Sequence, residues 1–300
     1  MNALRTFGSI YLFVEGKRLD IVKGRVAYQG AEGAYSHLAC KQVFPDWEYV
    51  ACDDFQSAME LVSDGTVDRA VIPLENSTAG RVEEIYRLLR RTRLHVIGEH
   101  FEPINHCLLA LPGVRLDEIE EVSSHPQALA QCHQRIINLG MKAIAMVDTA
   151  AEAKALKASG NRKRAALASF LAGDLYGLEV LHENFQDVMG NTTRFLIFAR
   201  EQQHLEMEPG QRYVTSLLFT VRNIPAALYK ALGGFATNGV NLLKLESYMD
   251  GIRMEASEFH IDIEGHPSQR NMQFALEELQ YFAREVRVLG TYPVHEYRLD

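Results

Sequence analysis

The sequence predicts an α/β protein in two parts: a two-lobed unit with a cleft between its lobes, then a smaller βαββαβ unit. Three observations carry this. From Gly24 to about residue 200, short β-rich runs alternate with amphipathic helical patterns, as expected of helices packed on a mostly parallel sheet. The alternation comes as two similar series, which implies two lobes and a cleft where a small ligand sits. It then lapses at residues 201–211 into a polar stretch ending in Pro209-Gly210, a linker, after which a compact βαββαβ reading begins.

The first series reads as strand Arg25 to Tyr28, helix Ala34 to Phe44, strand Trp47 to Ala51, helix Phe55 to Asp64, strand Arg69 to Ile72, helix Val82 to Arg90 and strand His95 to Phe101. In the second, Ile104 to Leu111 reads as strand, Pro126 to Leu139 as helix and Lys142 to Val147 as strand. Ala150 to Ser159 and Arg164 to Tyr176 read as helices, the latter capped by Gly177, and Phe195 to Ala199 as the closing strand. In the third part the order is strand Thr215 to Val221, helix Pro225 to Thr237 ended by Gly239, and strands Asn241 to Tyr248 and Phe259 to Glu264. Helix Ser268 to Phe282 and strand Val286 to Thr291 complete it.

Composition narrows the function. The 300 residues carry 31 Lys and Arg against 39 Asp and Glu, a net charge of -8, the wrong sign for a nucleic-acid partner. A local basic pocket is still compatible with it. Cys40, Cys52, Cys107 and Cys132 lie far apart without metal-ligand spacing and read as buried free thiols. The apolar run Ile10 to Val14 is shorter than a signal-peptide core, and no run approaches the roughly 18 residues of a membrane span. These features point to the cytoplasm and away from a membrane.

Four segments place small polar residues just after strands, where amides at helix starts can hold an anion. In Tyr28-Gln29-Gly30-Ala31-Glu32-Gly33-Ala34, two glycines free the turn, although GxGxxG is absent. Glu75-Asn76-Ser77-Thr78-Ala79-Gly80-Arg81 offers an amide, two hydroxyls and a guanidinium, which serve either a helix cap or a bound carboxylate. Ser123-Ser124-His125-Pro126-Gln127 through Gln131 opens a helix with Gln127 and Gln131 one turn apart on one face. Asn191-Thr192-Thr193-Arg194 sets two hydroxyls beside a cation, either as a polar turn or as a donor to an anion with a leaving hydroxyl.

Together, YQGAEGAYSHLAC, IPLENSTAGRVEEIYRLL, SSHPQALAQC, ALASFLAGDLYGL and NTTRFLIFAR resemble, in this order, the prephenate dehydratases of the bacterial monofunctional type. The tail VRNIPAALYKALGGFATNGVNLLKLESY resembles their ACT regulatory domain. The resemblance implies an N-terminal extension at residues 1–22 and a catalytic domain at 24–200, with one lobe of about 24–101 plus 195–200 and another of 102–194. That domain would be periplasmic-binding-protein-like in its two lobes. A linker at 201–211 and a ferredoxin-like ACT domain at 212–298 would follow.

It further implies conversion of prephenate to phenylpyruvate with loss of water and carbon dioxide, a step of phenylalanine biosynthesis that needs neither nicotinamide nor metal. By resemblance Thr193 is the donor to the leaving hydroxyl, and Asn76, Ser77, Ser124, Gln131 and Thr149 line the cleft. Arg194 either joins them or forms a structural ion pair; Tyr35 and Phe185 either contact the ring or fill the core. Asn238, Asn241, Leu242, Glu246 and Ser247 would bind L-Phe, in a homodimer or homotetramer joined through the ACT domain. Here the family's Glu-Ser-Arg-Pro becomes Glu246-Ser247-Tyr248-Met249. Two other functions remain open: arogenate dehydratase, or a binding protein that senses an amino acid without turnover.

Overall fold

The computed structural model describes residues 13–14, 17–18, 23–250 and 255–299. Of the expected N-terminal extension, only two short strands, β1 (Phe13–Val14) and β2 (Lys17–Arg18), fall within them. The chain divides into two compact units, one of Met1–Leu89 with His100–Phe195 and one of Arg90–Glu99 with Leu196–Asp300.

The first series runs β3 (Arg25–Gln29), α1 (Tyr35–Val43), β4 (Glu48–Cys52), α2 (Phe55–Ser63), β5 (Arg69–Asn76), β6 (Gly80–Arg81), α3 (Glu83–Arg91) and β7 (His95–Pro103). The second runs β8 (Cys107–Ala110), β9 (Glu121–Ser124), α4 (Pro126–Gln131), α5 (His133–Asn138), β10 (Lys142–Ala145), α6 (Thr149–Ser159), β11 (Arg164–Ala168), α7 (Phe170–Tyr176), β12 (Glu179–His182) and β13 (Thr192–Ala199). β13 returns to the first sheet, whose order is β4-β3-β5-β13-β7 with β6 paired to β5; the second sheet has the order β10-β9-β11-β8-β12. In the first, β3 is parallel to both β4 and β5. In the second, β9 is parallel to β10 and β11, while β8 runs antiparallel to β11 and β12. Each sheet is a lobe, and β13, buried along its whole length, carries the chain from the second lobe back into the first.

Two sequence expectations are corrected in the second lobe. Arg164 to Tyr176 is not one helix: Arg164–Ala168 is the central strand β11, and the helix begins only at Phe170, after Ser169 has capped it by accepting the Ala172 amide at 3.1 Å. Alanine favours helix intrinsically, but Ala165 to Ala168 are buried between β9 and β8, and tertiary placement overrides propensity. Pro126 to Leu139 is likewise two helices, broken at Cys132. The capping glycines stand where expected, Gly177 at φ 60° and Gly239 at φ 65°. Cys40, Cys107 and Cys132 are buried free thiols, and burial pushes Cys132 up to about 12, whereas Cys52 is only half-buried.

After residue 212 come β14 (Tyr213–Val221), α8 (Ala227–Thr237), β15 (Leu242–Asp250), β16 (Glu255–Glu264), α9 (Arg270–Phe282) and β17 (Ala283–Pro293). Their sheet, β15-β16-β14-β17, is antiparallel throughout and has the ferredoxin-like βαββαβ order. Leu217, Phe219, Ile261 and Ile263 of the sheet pack on Ala231 and Phe235 of α8 and on Met272, Ala275 and Leu279 of α9, one apolar layer between sheet and helices.

The two lobes of the first unit are tied at the loop before α1. The Ser169 hydroxyl donates to Gly33 O at 2.5 Å, and the Tyr176 hydroxyl donates to Glu32 O at 2.7 Å. Gly33 makes this approach possible. Its φ is +89°, and a β-carbon there would lie 2.8 Å from the Ala172 α-carbon. Gly33→Ala should therefore destabilise the fold by about 1–3 kcal/mol, from strain and overpacking together. Urea unfolding should show a lower midpoint at unchanged slope; an unchanged midpoint would mean that the approach constrains nothing.

Candidate active site

Between the lobes lies a cavity of about 450 Å³, within the range of small-molecule sites. The first lobe lines it with Tyr35 and Ser36 of α1, with Asn76 and Arg81 from the β5–β6 region, and with Thr193 and Phe195 of β13. The second lobe contributes His106, His125, Gln127, Gln131 and Thr149.

Asn76 sits at the end of β5, where the chain turns. Its Oδ1 accepts from the backbone amides of Thr78 at 3.0 Å and Ala79 at 2.9 Å, and from the Thr78 hydroxyl at 2.8 Å. Backbone amides can only donate, so the orientation of the Asn76 side chain is fixed. Its Nδ2 must then donate, to Asn191 Oδ1 at 2.7 Å and Thr193 Oγ1 at 2.9 Å.

The directions propagate from there. Asn191, with its oxygen accepting, donates through Nδ2 to Gln131 Oε1 at 3.1 Å, and Gln131 Nε2 donates to the Thr78 hydroxyl oxygen at 2.9 Å. Gln131 Oε1 is thus an acceptor, and His106 Nε2, 2.9 Å from it, carries a proton. The Tyr35 hydroxyl lies 2.9 Å from His106 Nδ1 and 2.8 Å from Asn105 O. Burial, the larger influence, lowers the affinity of His106 for a second proton, against the opposing bond to Gln131. At the other end, the Thr193 oxygen is occupied by a donor, so its proton is available to a group in the cavity.

The expected site residues fall into three sets. Asn76, Gln131, Thr149 and Thr193 meet around the cavity, Thr149 as the first residue of α6, whose N-terminus Asp148 caps through the Ala151 amide at 2.7 Å. Ser77 stands behind the lining and ties β13 to the Asn76 turn: its amide donates to Thr192 O at 2.9 Å, and its hydroxyl oxygen accepts from Thr192 N at 3.0 Å. Ser124 and Arg194 do not reach the cavity. Ser124 is fully buried and donates to Leu167 O at 2.6 Å, stitching β9 to β11, and Arg194, 2% exposed, pairs with Glu75 at 3.0 Å. Arg194 takes the ion-pair alternative. Of the two aromatics, Tyr35 lines the cavity and Phe185 belongs to the second-lobe core.

In the second unit, Asn238 Nδ2 donates to Gly234 O at 2.8 Å and Glu278 Oε1 at 3.1 Å, and Asn241 Nδ2 to Glu264 Oε2 at 3.4 Å. Leu242 begins β15 opposite Ile263; Glu246 and Ser247 face His260 and Phe259 across the ladder, and Glu246 accepts from Lys244 at 3.3 Å.

Sequence reasoning missed His106 and Asn191 as site residues. Asn191 was present in the NTTR segment, but no pattern marked it apart from its neighbours. His106 falls inside an apolar run read as strand, where a lone histidine carries no signal. Arg81, seen in sequence as a guanidinium beside the turn, is the single Lys or Arg among the described residues lining the cavity; Glu83 holds it at 2.7 Å. Among the described residues, no three His, Cys, Asp or Glu gather as a metal site. No helix there is long and apolar enough to cross a membrane.

Known proteins give this geometry a context. The family model for prephenate dehydratase matches residues 26–203. The bifunctional N-acyl-homoserine lactone acylase/prephenate dehydratase of Komagataeibacter europaeus is 43% identical over 91% of this chain and 97% of its own length. Arogenate dehydratase/prephenate dehydratase 1 of Arabidopsis thaliana is 41% identical, covering 92% of this chain and 73% of that protein. The structure of the Arthrobacter aurescens prephenate dehydratase in complex with L-Phe superposes with a TM-score of 0.81 at 30% identity, over 89% of each chain. With the family model covering the two-lobed region and relatives matching nearly the whole length, the chain belongs to the prephenate dehydratase family, a family of hydro-lyases.

Proposed function

We propose that this chain converts prephenate to phenylpyruvate, with Thr193 donating to the hydroxyl that leaves. The observation that carries the reading is the direction of one hydrogen bond: Asn76 Nδ2 fills the Thr193 oxygen and turns its proton to the cavity. In the reaction the bond to the ring carboxylate breaks, its electron pair enters the ring, and the hydroxyl departs from the opposite carbon as water. Carbon dioxide is released and one proton is taken up. A threonine hydroxyl is a weak acid, but accepting from Asn76 polarises it toward the leaving oxygen, and positioned proton donation is worth about 10²- to 10⁴-fold.

Prephenate is favoured over arogenate by the charge of the lining. Arogenate carries an ammonium where prephenate has a ketone, and a site built for an ammonium would offer it a carboxylate. Among the described residues lining the cavity there is no Asp or Glu, while Arg81 and the amides of Gln127 and Gln131 suit carboxylate and carbonyl oxygens. The purified protein should therefore show a kcat/KM for prephenate at least about tenfold above that for arogenate, since a site rejects an analogue that leaves its polar group unpaired. The reverse ratio would assign the chain to arogenate; no turnover of either would make it a binding protein.

The role of Thr193 has two tests of different chemistry. Thr193→Val removes the donor at nearly constant shape. Asn76→Asp keeps the acceptor for the two backbone amides but offers Thr193 a carboxylate, so the hydroxyl turns back and donates to it. Both should lower kcat by about 100-fold or more with the melting transition retained. A Thr193→Val enzyme near wild-type rate would remove Thr193 from the chemistry.

We extend the proposal to the C-terminal unit as an ACT domain at 212–298, through which a homo-oligomer forms and L-Phe inhibits. The L-Phe complex of the Arthrobacter relative supports it. Here the amides of Asn238, Gly239 and Val240 are spent closing α8, so carboxylate capture falls to Asn241 and Leu242, with Glu246 and Ser247 near the amino group. Saturating L-Phe should slow phenylpyruvate formation or change the assembly state measured by light scattering. No change in either would leave the unit without this effector.

A further inference from the structure

We infer that His106 is a positioning residue that, with Asn191, holds the Gln131 amide so that it turns an N–H rather than a carbonyl toward an anion in the cavity. The inference rests on the proposed dehydratase reading for its substrate but on geometry for its cause. Gln131 Oε1 is held by two donors, His106 Nε2–H at 2.9 Å and Asn191 Nδ2 at 3.1 Å. Its Nε2 spends one proton on Thr78 Oγ1 at 2.9 Å, and the other is left for the cavity that Gln131 lines.

Turning the amide over would be penalised three times. Its NH₂ would meet two donors, His106 and Asn191, and its oxygen would meet a Thr78 hydroxyl whose proton already serves Asn76 Oδ1 at 2.8 Å. Carbonyl lone pairs would then face the substrate carboxylates. The histidine supplies one of the two donors that prevent this. Its backbone is anchored independently of the ring: His106 N donates to Gln186 Oε1 at 3.0 Å, and His106 O accepts from Phe185 N at 2.7 Å. On the opposite side of the ring the Tyr35 hydroxyl lies 2.9 Å from Nδ1 and 2.8 Å from Asn105 O, so its one proton serves two acceptors. His106 is 3% exposed, so water does not replace it as a donor.

The test combines a conservative rescue, a double-mutant cycle and a spectroscopic signature. His106→Leu removes the donor, and His106→Gln returns an N–H near the Nε2 position. Wild-type turnover of prephenate is measured first. His106→Leu should then raise KM about tenfold with kcat within about twofold, the pattern of lost uniform binding, and His106→Gln should recover most of the loss. Because His106 acts through Gln131, His106→Leu combined with Gln131→Leu should be no worse than Gln131→Leu alone. Additive losses, an unchanged KM in His106→Leu, or a Gln variant no better than the Leu variant would overturn the inference. Nitrogen-15 histidine spectra should show His106 protonated at Nε2 at neutral pH. A bare Nε2 would overturn it whether or not prephenate is the substrate, whereas absent prephenate turnover with a protonated Nε2 would count only against the dehydratase reading.

Discussion

Two backbone amides, those of Thr78 and Ala79, decide the chemistry of the cavity. A main-chain N–H cannot accept, so the Asn76 oxygen that receives them cannot be its nitrogen, and every amide and hydroxyl bonded in series beyond Asn76 inherits a direction. Asn191, Gln131, His106 and Thr193 each have two chemically reasonable orientations in isolation; in the network each has one. Reversing any member would leave donors facing donors or acceptors facing acceptors, at about 1–3 kcal/mol for each buried group left unsatisfied. The Asn76 turn is therefore the reference point from which the site derives its polarity.

That arrangement reconciles a chain of net charge -8 with an anionic substrate. The overall balance has the wrong sign for a polyanionic partner, yet the cavity needs no cationic field. Its donors are amides and hydroxyls aimed inward, with Arg81 as one cation from the edge of the Asn76 turn. Preorganised dipoles in a partly enclosed site require no rearrangement as charge moves from the ring carboxylate to the leaving oxygen. A cluster of lysines or arginines would bind the dianion more tightly at the start without favouring the moment of departure.

How much of this was legible depended on which physical signal each residue leaves. The strands of the first lobe, the linker, the capping glycines Gly177 and Gly239 and the βαββαβ order were readable because periodicity and turn residues are local. β11 was not: Arg164 to Ala168 is alanine-rich and looks helical, and only its place between β9 and β8 makes it a strand. Asn76, Gln131, Thr149 and Thr193 were found through family resemblance and do meet at the cavity. Ser124 was named through the family's Ser-His-Pro-Gln motif and Arg194 because it adjoins Thr193, but in a strand neighbours point to opposite faces. Thr193 faces the cavity and Arg194 faces Glu75. His106 was invisible for the opposite reason, since its importance lies in contacts with Tyr35 and Gln131, 71 and 25 residues away in the chain.

Bonds that join the two lobes also orient the donors of the site. Gln131 and His106 belong to the second lobe, Thr78 and Tyr35 to the first, and the bonds from Gln131 to Thr78 and from Tyr35 to His106 cross the cavity as they orient its donors. Separating the lobes would break these along with the bonds of Ser169 and Tyr176 to the loop at Gly33. Thr193 would keep its direction, because Asn76 and the amides that fix it lie in the same lobe. Gln131 would lose Thr78, while His106 of its own lobe still faced its oxygen. The first lobe therefore orients the proposed donor by itself, whereas the Gln131 amide is held from both lobes at once, by His106 at its oxygen and by Thr78 at its nitrogen.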